Sequence, residues 1–232
     1  MKKFNSEIKL IAFDADDTLW ANEGNYRRAE RKFAQVLAPW SGEIKAIETL
    51  LDVVRMNLPL LGYGAKSFIV SMIECGIELS GGKLSNREVL KLVEIGKEVM
   101  QEEIELYPKV EEVLASLRQS YPLLLATKGD LKEQESKIER SGLKGHFDYI
   151  EVMSEKDSES YLNIIDKLNL SPGDFLMIGN SFKSDILPVL EIGGHAVYIP
   201  SETIWVYEVV EEIEHPNLIK LNSIDKVVQL FQ

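Results

Sequence analysis

Short apolar segments bounded by turn residues recur along the chain and predict buried β-strands. They lack the polar alternation of a sheet with one wet face, so we expect a parallel sheet with helices on both faces. Segments with helical spacing of apolar residues lie between most of them. The pattern predicts an α/β fold with a doubly wound, Rossmann-like core. The predicted strands are 10–13, 123–126, 149–153, 175–178, 196–199 and 218–221.

The interval between the first two predicted strands is too long for a single crossover. It shows helical periodicity throughout, and Ser85 with Glu88 forms a capping-box pattern before its last helical segment. We interpret residues 22–105 as an inserted all-α domain, and residues 1–21 and 106–232 as the core. The helical segments are 25–40, 43–58, 64–79 and 85–106 in the insertion, and 109–120, 130–142 and 158–170 in the core.

The composition of the chain argues against several classes of function. The chain has 26 Lys and Arg against 38 Asp and Glu, a formal net charge of −12 that disfavours nucleic-acid binding. No run approaches the roughly 18 apolar residues of a membrane helix. Cys75 is the only cysteine, and the first residues lack a signal-length apolar stretch. We expect a cytoplasmic protein with no nucleic-acid and no membrane partner, and leave its oligomeric state open.

The first strand runs directly into three carboxylates, Asp14, Asp16 and Asp17, which are followed by Thr18. Carboxylates clustered at the end of a buried strand repel one another. A hard divalent cation such as Mg²⁺ would relieve that repulsion, because it prefers oxygen ligands. The alternative is an acidic turn that only ends the strand.

Other polar residues follow later strands. Thr127 and Lys128 follow the second strand, Lys156 follows the third, and Asn180 and Asp185 follow the fourth. In a parallel sheet all of them would lie at one edge, where carboxylates could hold a metal while a hydroxyl and a cation bind phosphate oxygens. Phosphoryl transfer requires groups of these kinds.

The order of these segments resembles the superfamily of haloacid dehalogenase-like hydrolases. Its first motif, D-x-D-x-T after hydrophobic residues, is similar to the stretch from Asp14 to Thr18. The resemblance implies that Asp14 is the nucleophile and Asp16 the general acid and base. It favours phosphoester over carbon–halogen cleavage, because the dehalogenases need no acid two residues after the nucleophile.

The remaining motifs follow in order. Thr127 resembles the second motif and Lys156 the third, although many relatives have Pro where this chain has Asp157, and Lys167 is a weaker alternative to Lys156. The fourth motif, G-D-x-x-x-x-D, is similar to residues 179–185, with Asn180 in place of the first acid. One negative charge fewer predicts modestly weaker magnesium binding.

The resemblance implies a phosphatase that works through an aspartyl-phosphate with Mg²⁺ as cofactor. The inserted domain resembles the helical cap of many members, which implies a small phosphorylated metabolite as substrate. The residues implied for catalysis are Asp14, Asp16, Thr127 and Lys156; for substrate binding Asp14, Ala15, Asp16, Thr127, Lys128 and Lys156; and for the metal Asp14, Asp16 and Asp185, with Asn180 acting directly or through water.

Two alternatives stay open. A phosphotransferase or sugar-phosphate mutase of the same family would pass the phosphoryl group to a hydroxyl instead of water. A regulatory module would bind phosphate without turnover, although the intact set of acidic, hydroxyl and ammonium groups argues against it.

Overall fold

The computed structural model describes residues 8–231, which form two compact units. The sheet unit comprises the chain up to Ala21, the segment Ile104–Lys128 and the chain from Gln134 onward. The helical unit comprises Asn22–Glu103 and the short segment Gly129–Glu133. No helix in the described part of the chain is long and apolar enough to span a membrane.

The sheet unit is built on six parallel strands in the order β3-β2-β1-β4-β5-β6. The central strand β1 pairs with β2 on one side and β4 on the other, so the direction of winding reverses beside β1. In open parallel sheets ligands bind at such a switch point, at the carboxyl ends of the strands. The strands are Leu10–Phe13 (β1), Leu123–Lys128 (β2), Tyr149–Met153 (β3), Phe175–Gly179 (β4), His195–Tyr198 (β5) and Leu218–Lys220 (β6).

The helical unit contains four helices with a hydrophobic core of their own, centred on Phe33, Leu37, Leu50 and Met72. The capping box predicted at Ser85 and Glu88 is present before the fourth helix. The helices are Glu23–Ser41 (α1), Glu43–Leu61 (α2), Ala65–Leu79 (α3) and Asn86–Gln101 (α4).

The prediction that the fourth helical segment continues to residue 106 is wrong. After Gln101 the chain becomes extended because its backbone pairs with the segment that follows β1. The carbonyl of Glu105 accepts a hydrogen bond from Ala21 at 3.0 Å, and Tyr107 donates to the carbonyl of Leu19 at 2.9 Å. These bonds replace the helical ones.

Helices cover both faces of the sheet. Ile11 and Phe13 of β1 belong to a buried cluster that includes residues of Val110–Leu117 (α5), whereas Leu10 and Ala12 belong to the opposite cluster. The prediction of a doubly wound α/β fold is therefore confirmed. The other helices of this unit are Leu131–Ser141 (α6), whose first turn groups with the helical unit, Ser158–Lys167 (α7) and Leu187–Glu191 (α8).

The expectation that all strands are buried fails at β3. Its residues Tyr149 and Ile150 are exposed, because β3 lies at the edge of the sheet and has one neighbouring strand. The central strands β1 and β4 are fully buried, as expected for a sheet covered on both faces.

We predict that Ser85→Ala destabilises the helical unit by about 1 kcal/mol, because it removes the hydroxyl that accepts from the Glu88 backbone N–H and donates to the Glu88 carboxylate. Urea denaturation followed by circular dichroism measures the change. Arg87→Ala, an exposed change in the same turn, should stay within about 0.5 kcal/mol of the wild type. Equal effects of the two changes would contradict the role of the cap.

Candidate active site

Charged side chains from three loops meet at the carboxyl edge of the sheet. The Lys156 ammonium lies 2.5 Å from Oδ1 of Asp14, which directly follows β1, and 2.7 Å from Oδ1 of Asp185, which follows β4. All three side chains are buried. The sheet therefore joins residues that are far apart in sequence into one compact group of two carboxylates and one cation.

The charges in this group strongly influence one another. Burial, and then the negative charge of Asp185, raises the pKa of Asp14 to about 7, although Lys156 opposes this shift. Burial alone would lower the pKa of Lys156, but Asp14 and Asp185 raise it above its ordinary value. The ammonium thus stays charged and is the counterion of both carboxylates.

The second oxygen of Asp14 faces a separate set of polar groups. The Thr18 hydroxyl donates to Oδ2 of Asp14 at 2.8 Å. It also donates to the side-chain oxygen of Asn180 at 3.0 Å. The same end of the Asn180 amide lies 3.1 Å from Oδ2 of Asp14 and 3.2 Å from the backbone carbonyl oxygen of Asp16, and it would donate to both if the amide nitrogen took the place of the oxygen. The Asn180 amide thus lies beside both the Asp14 carboxylate and the Asp16 carbonyl oxygen.

The donor set at this point fits a hard cation. No three His, Cys, Asp or Glu side chains gather to hold a metal within residues 8–231. Magnesium, however, uses one or two carboxylates and completes its coordination with carbonyl oxygens, water and substrate phosphate. Asp14, Asp185, the carbonyl of Asp16 and, with its oxygen turned inward, the amide of Asn180 are ligands of the required kind.

The loop after β4 is shaped around Asp185. A side-chain carbon on Gly179 would overlap with the Asp185 carboxylate, so only glycine fits at the end of this strand. The backbone N–H of Ser181 donates to Oδ2 of Asp185 at 2.9 Å. Tyr161 of α7 donates to the carbonyl of Ser184 at 3.1 Å and fixes the π-helical turn Phe182–Ile186.

Asp16 lies in a different environment from Asp14. Its carboxylate accepts hydrogen bonds from the Lys137 ammonium at 2.8 and 3.0 Å, from the Gln134 amide at 3.0 Å and from the Trp20 indole at 2.6 Å. Burial alone would raise the pKa of Asp16, but Lys137, Gln134 and Trp20 hold it below the ordinary value. The side chain of Asp16 therefore belongs to a polar cluster of its own.

The backbone between these two acids forms a tight turn. Asp17 has a φ of 62°, in the left-handed region that Asp tolerates better than most residues. The carbonyl of Ala15 accepts from the N–H groups of Thr18 and Leu19 at 3.2 and 2.8 Å. This turn sends the side chains of Asp14 and Asp16 to separate partners.

The second motif supplies two neighbouring side chains with different surroundings. Thr127 is buried near the end of β2, in register with Val152 of β3. Lys128 pairs with Glu208 at 2.7 Å and donates to the hydroxyl of Ser184 at 2.9 Å. The Lys128 ammonium thus already has a carboxylate partner within the protein.

Glu208 links this pair to the fourth motif. It accepts hydrogen bonds from the hydroxyl of Ser184, at 2.6 Å, and from that of Ser181. Burial alone would raise its pKa, but Lys128 and the two serines hold the pKa of Glu208 below the ordinary value. Glu208 therefore ties the segment after β5 to the end of β2 and to the loop after β4.

Three residues of these polar clusters were not predicted from the sequence: Gln134, Lys137 and Glu208. A signal existed for the first two, because α6 is polar along its length, and a polar helix in a covered core must bury polar side chains. For Glu208 no local pattern was available, since it lies in a short 3₁₀ turn within a segment rich in glutamate.

Comparison with known proteins gives concordant matches. The model for haloacid dehalogenase-like hydrolases matches residues 8–193. A crystal structure of a haloacid dehalogenase-like family hydrolase from Xanthomonas campestris is 38% identical, with a TM-score of 0.87, over 99% of this chain and 94% of that chain.

Two curated relatives are more distant. N-acylneuraminate-9-phosphatase of Rattus norvegicus is 27% identical over 215 residues, which cover 87% of this chain and 83% of the relative. The 5-amino-6-(5-phospho-D-ribitylamino)uracil phosphatase of Escherichia coli is 24% identical, over 94% of this chain and 96% of the relative.

We predict that Lys156→Met destabilises the sheet unit by about 3–5 kcal/mol near pH 8, because two buried carboxylates lose their counterion. Burial raises the pKa of Asp14 and the Lys156 ammonium opposes this shift, so without the ammonium the pKa of Asp14 in the folded state lies further above its unfolded value and the protonated form favours folding. The loss should shrink as the pH falls from about 8 to about 5. Denaturant unfolding across this pH range measures it.

The matched control is Lys167→Met, which removes a lysine whose side chain is 65% exposed, beside Glu151. It should change stability by less than about 1 kcal/mol at any pH in this range. A Lys156→Met protein as stable as this control would show that Asp14 and Asp185 need no cation.

Proposed function

Because the chain belongs to the haloacid dehalogenase-like hydrolases, we propose that it is a magnesium-dependent phosphatase that hydrolyses a small phosphorylated metabolite through an aspartyl-phosphate at Asp14. The observation that carries the proposal is the Lys156 ammonium held between the carboxylates of Asp14 and Asp185. A buried cation between two acids at the edge of a parallel sheet suits a reaction in which negative charge moves from phosphate to a leaving group.

In this proposal the negative charge of the bound phosphate favours a proton on Asp16. Asp14 then attacks phosphorus, and Asp16 gives this proton to the leaving oxygen. A bond forms between a carboxylate oxygen and phosphorus while the bond from phosphorus to the ester oxygen breaks. Asp16, then ionised, takes a proton from the water that hydrolyses the aspartyl-phosphate, and both residues return to their starting states. One difficult displacement becomes two easier ones.

The residues around Asp14 hold the phosphoryl group. Lys156 neutralises its oxygens, and the Thr127 hydroxyl, together with the backbone around Ala15, supplies hydrogen bonds. Lys128 was expected to bind substrate as well. We assign it instead to Glu208, since its ammonium already lies 2.7 Å from that carboxylate.

Asp14, Asp185, the carbonyl of Asp16 and the Asn180 amide would hold Mg²⁺. When bound, magnesium supplies positive charge that stabilises the phosphoryl oxygens. The Asn180 amide oxygen accepts from the Thr18 hydroxyl at 3.0 Å and lies beside oxygens of Asp14 and Asp16, which is the orientation that a metal ligand needs. With its nitrogen turned toward those oxygens instead, Asn180 would donate to both and compete with metal binding.

We propose that the helical unit is a cap that excludes bulk water and selects the substrate. The names of the two curated relatives support a small phosphorylated metabolite, since both describe phosphatases of small molecules. A phosphotransferase or mutase would share the first step. Analysis of products in the presence of candidate acceptor alcohols separates them, because only hydrolysis releases one inorganic phosphate per substrate consumed.

We predict that Asp14→Asn lowers turnover of every phosphoester that the wild type hydrolyses by about 10⁴-fold or more, because the amide is not a nucleophile. Phosphate release from a panel of phosphorylated metabolites, with Mg²⁺ or with a chelator, measures it. Asp17→Asn, the same chemical change in the same turn, should keep most of the activity, since Asn also tolerates a φ of 62°. Retained turnover in Asp14→Asn would remove Asp14 as the nucleophile.

We predict that Asn180→Asp tightens Mg²⁺ binding by about tenfold, because it adds a negative charge to the set of ligands. Calorimetric titration without substrate measures the affinity directly. Asn163→Asp, an exposed change on α7, adds the same charge away from the site and should leave the affinity unchanged. Unaltered affinity in Asn180→Asp would place the metal elsewhere.

A further inference from the structure

We propose that Lys137 is a positioning residue of the reaction, which fixes the carboxylate of Asp16 in the orientation in which it meets the leaving oxygen. The inference rests on the proposed function and deepens it. Lys137 lies in the second turn of α6, outside the motifs of the family resemblance.

The contacts of Asp16 fix its carboxylate at both oxygens. Lys137 Nζ lies 3.0 Å from Oδ1 and 2.8 Å from Oδ2. The Trp20 indole donates to Oδ1 at 2.6 Å, and the Gln134 amide donates to Oδ2 at 3.0 Å. Two donors at each oxygen prevent rotation of the group. Lys137 is the only one of the three that contacts both oxygens.

Asp16 stays accessible despite these contacts. Its side chain is 19% exposed, whereas that of Lys137 is only 5% exposed. The ammonium is therefore shielded from solvent, whereas part of the Asp16 carboxylate stays accessible. This is the arrangement of a residue that acts through another and does not touch the substrate.

Gln134 gives an independent indication that this orientation matters. Its amide nitrogen donates to Asp16 and to the carbonyl of Lys128, while its amide oxygen is buried with no hydrogen-bond partner among residues 8–231. An unsatisfied buried acceptor is costly and uncommon in folded proteins. The fold thus accepts a penalty to keep a donor on Asp16.

Stability alone does not account for the Lys137–Asp16 pair. Replacing a buried ion pair with apolar side chains is often neutral or stabilising, so such a pair is weak support for a purely structural role. The location of this pair, on the residue proposed as acid and base, points to orientation of the proton donor. Misplacing a catalytic group by about 1 Å can cost about 100-fold in rate.

The test compares substrates that differ in their need for a proton. An alkyl phosphate needs its leaving oxygen protonated, whereas p-nitrophenyl phosphate releases a stable phenolate without it. Lys137→Met should lower kcat for an alkyl phosphate by about 100-fold and for p-nitrophenyl phosphate by less than about fivefold, with little change in KM. Lys137→Arg should recover part of the loss, because a guanidinium can also bridge both oxygens.

A double variant separates positioning from general damage. If Lys137 acts only through Asp16, then Lys137→Met should cost nothing further in an Asp16→Asn background. Lys132→Met is the matched control, since it removes an exposed lysine from the same helix. Equal losses on both substrates, or a loss that adds to that of Asp16→Asn, would overturn the proposal.

A third readout needs no turnover. The indole N–H resonance of Trp20 in tryptophan-labelled protein reports its hydrogen bond to Asp16, and it should shift in Lys137→Met but not in Lys132→Met. An unshifted resonance overturns the positioning role. If it shifts while the wild type hydrolyses no phosphoester, Lys137 still positions Asp16 and the proposed function fails. Lys137→Gln replaces Lys137→Met if the latter does not fold.

Discussion

The arrangement of the side chains at the carboxyl ends of the strands depends on the buried ammonium of Lys156. Two carboxylates from loops after different strands lie within 2.7 Å of it, and burying both of them without a cation would cost much free energy. The need to keep both carboxylates beside this ammonium explains three neighbouring features. Gly179 leaves room for Asp185, Ser181 donates to it, and Tyr161 fixes the turn that carries it.

Two aspartates in one short turn experience opposite environments. Burial and a neighbouring carboxylate raise the pKa of Asp14, whereas Lys137, Gln134 and Trp20 lower that of Asp16 despite burial. Pairs of carboxyl groups with divergent pKa values are typical of sites that need distinct acid–base roles. In the proposed reaction, a divalent cation beside Asp14 would favour its ionised form, and the charge of a phosphate would favour a proton on Asp16.

The sequence predicted those parts of the structure that are encoded locally. Apolar runs identified all six strands, and the pattern at Ser85 and Glu88 identified a helix start, because burial and capping depend on adjacent residues. The exposure of β3 and the early end of α4 were missed, because both depend on which segments become neighbours. Within the site, the sequence predicted Asp14, Lys156 and Asp185, because each of them follows a predicted strand. Lys137 and Glu208 were not predicted, since their importance arises from long-range pairing with Asp16 and Lys128.

Glu208 shows that residues near the proposed active site also come from the part of the chain beyond the family match. The family match ends at residue 193, yet the carboxylate that balances Lys128 comes from the segment after β5. In a protein truncated before this segment, the ammonium of Lys128 at the end of β2 would lose this carboxylate partner, and the charge at the carboxyl ends of the strands would become more positive. Chimeras that join this core to another member's carboxyl-terminal region would need to supply an equivalent counter-charge to keep ligand discrimination.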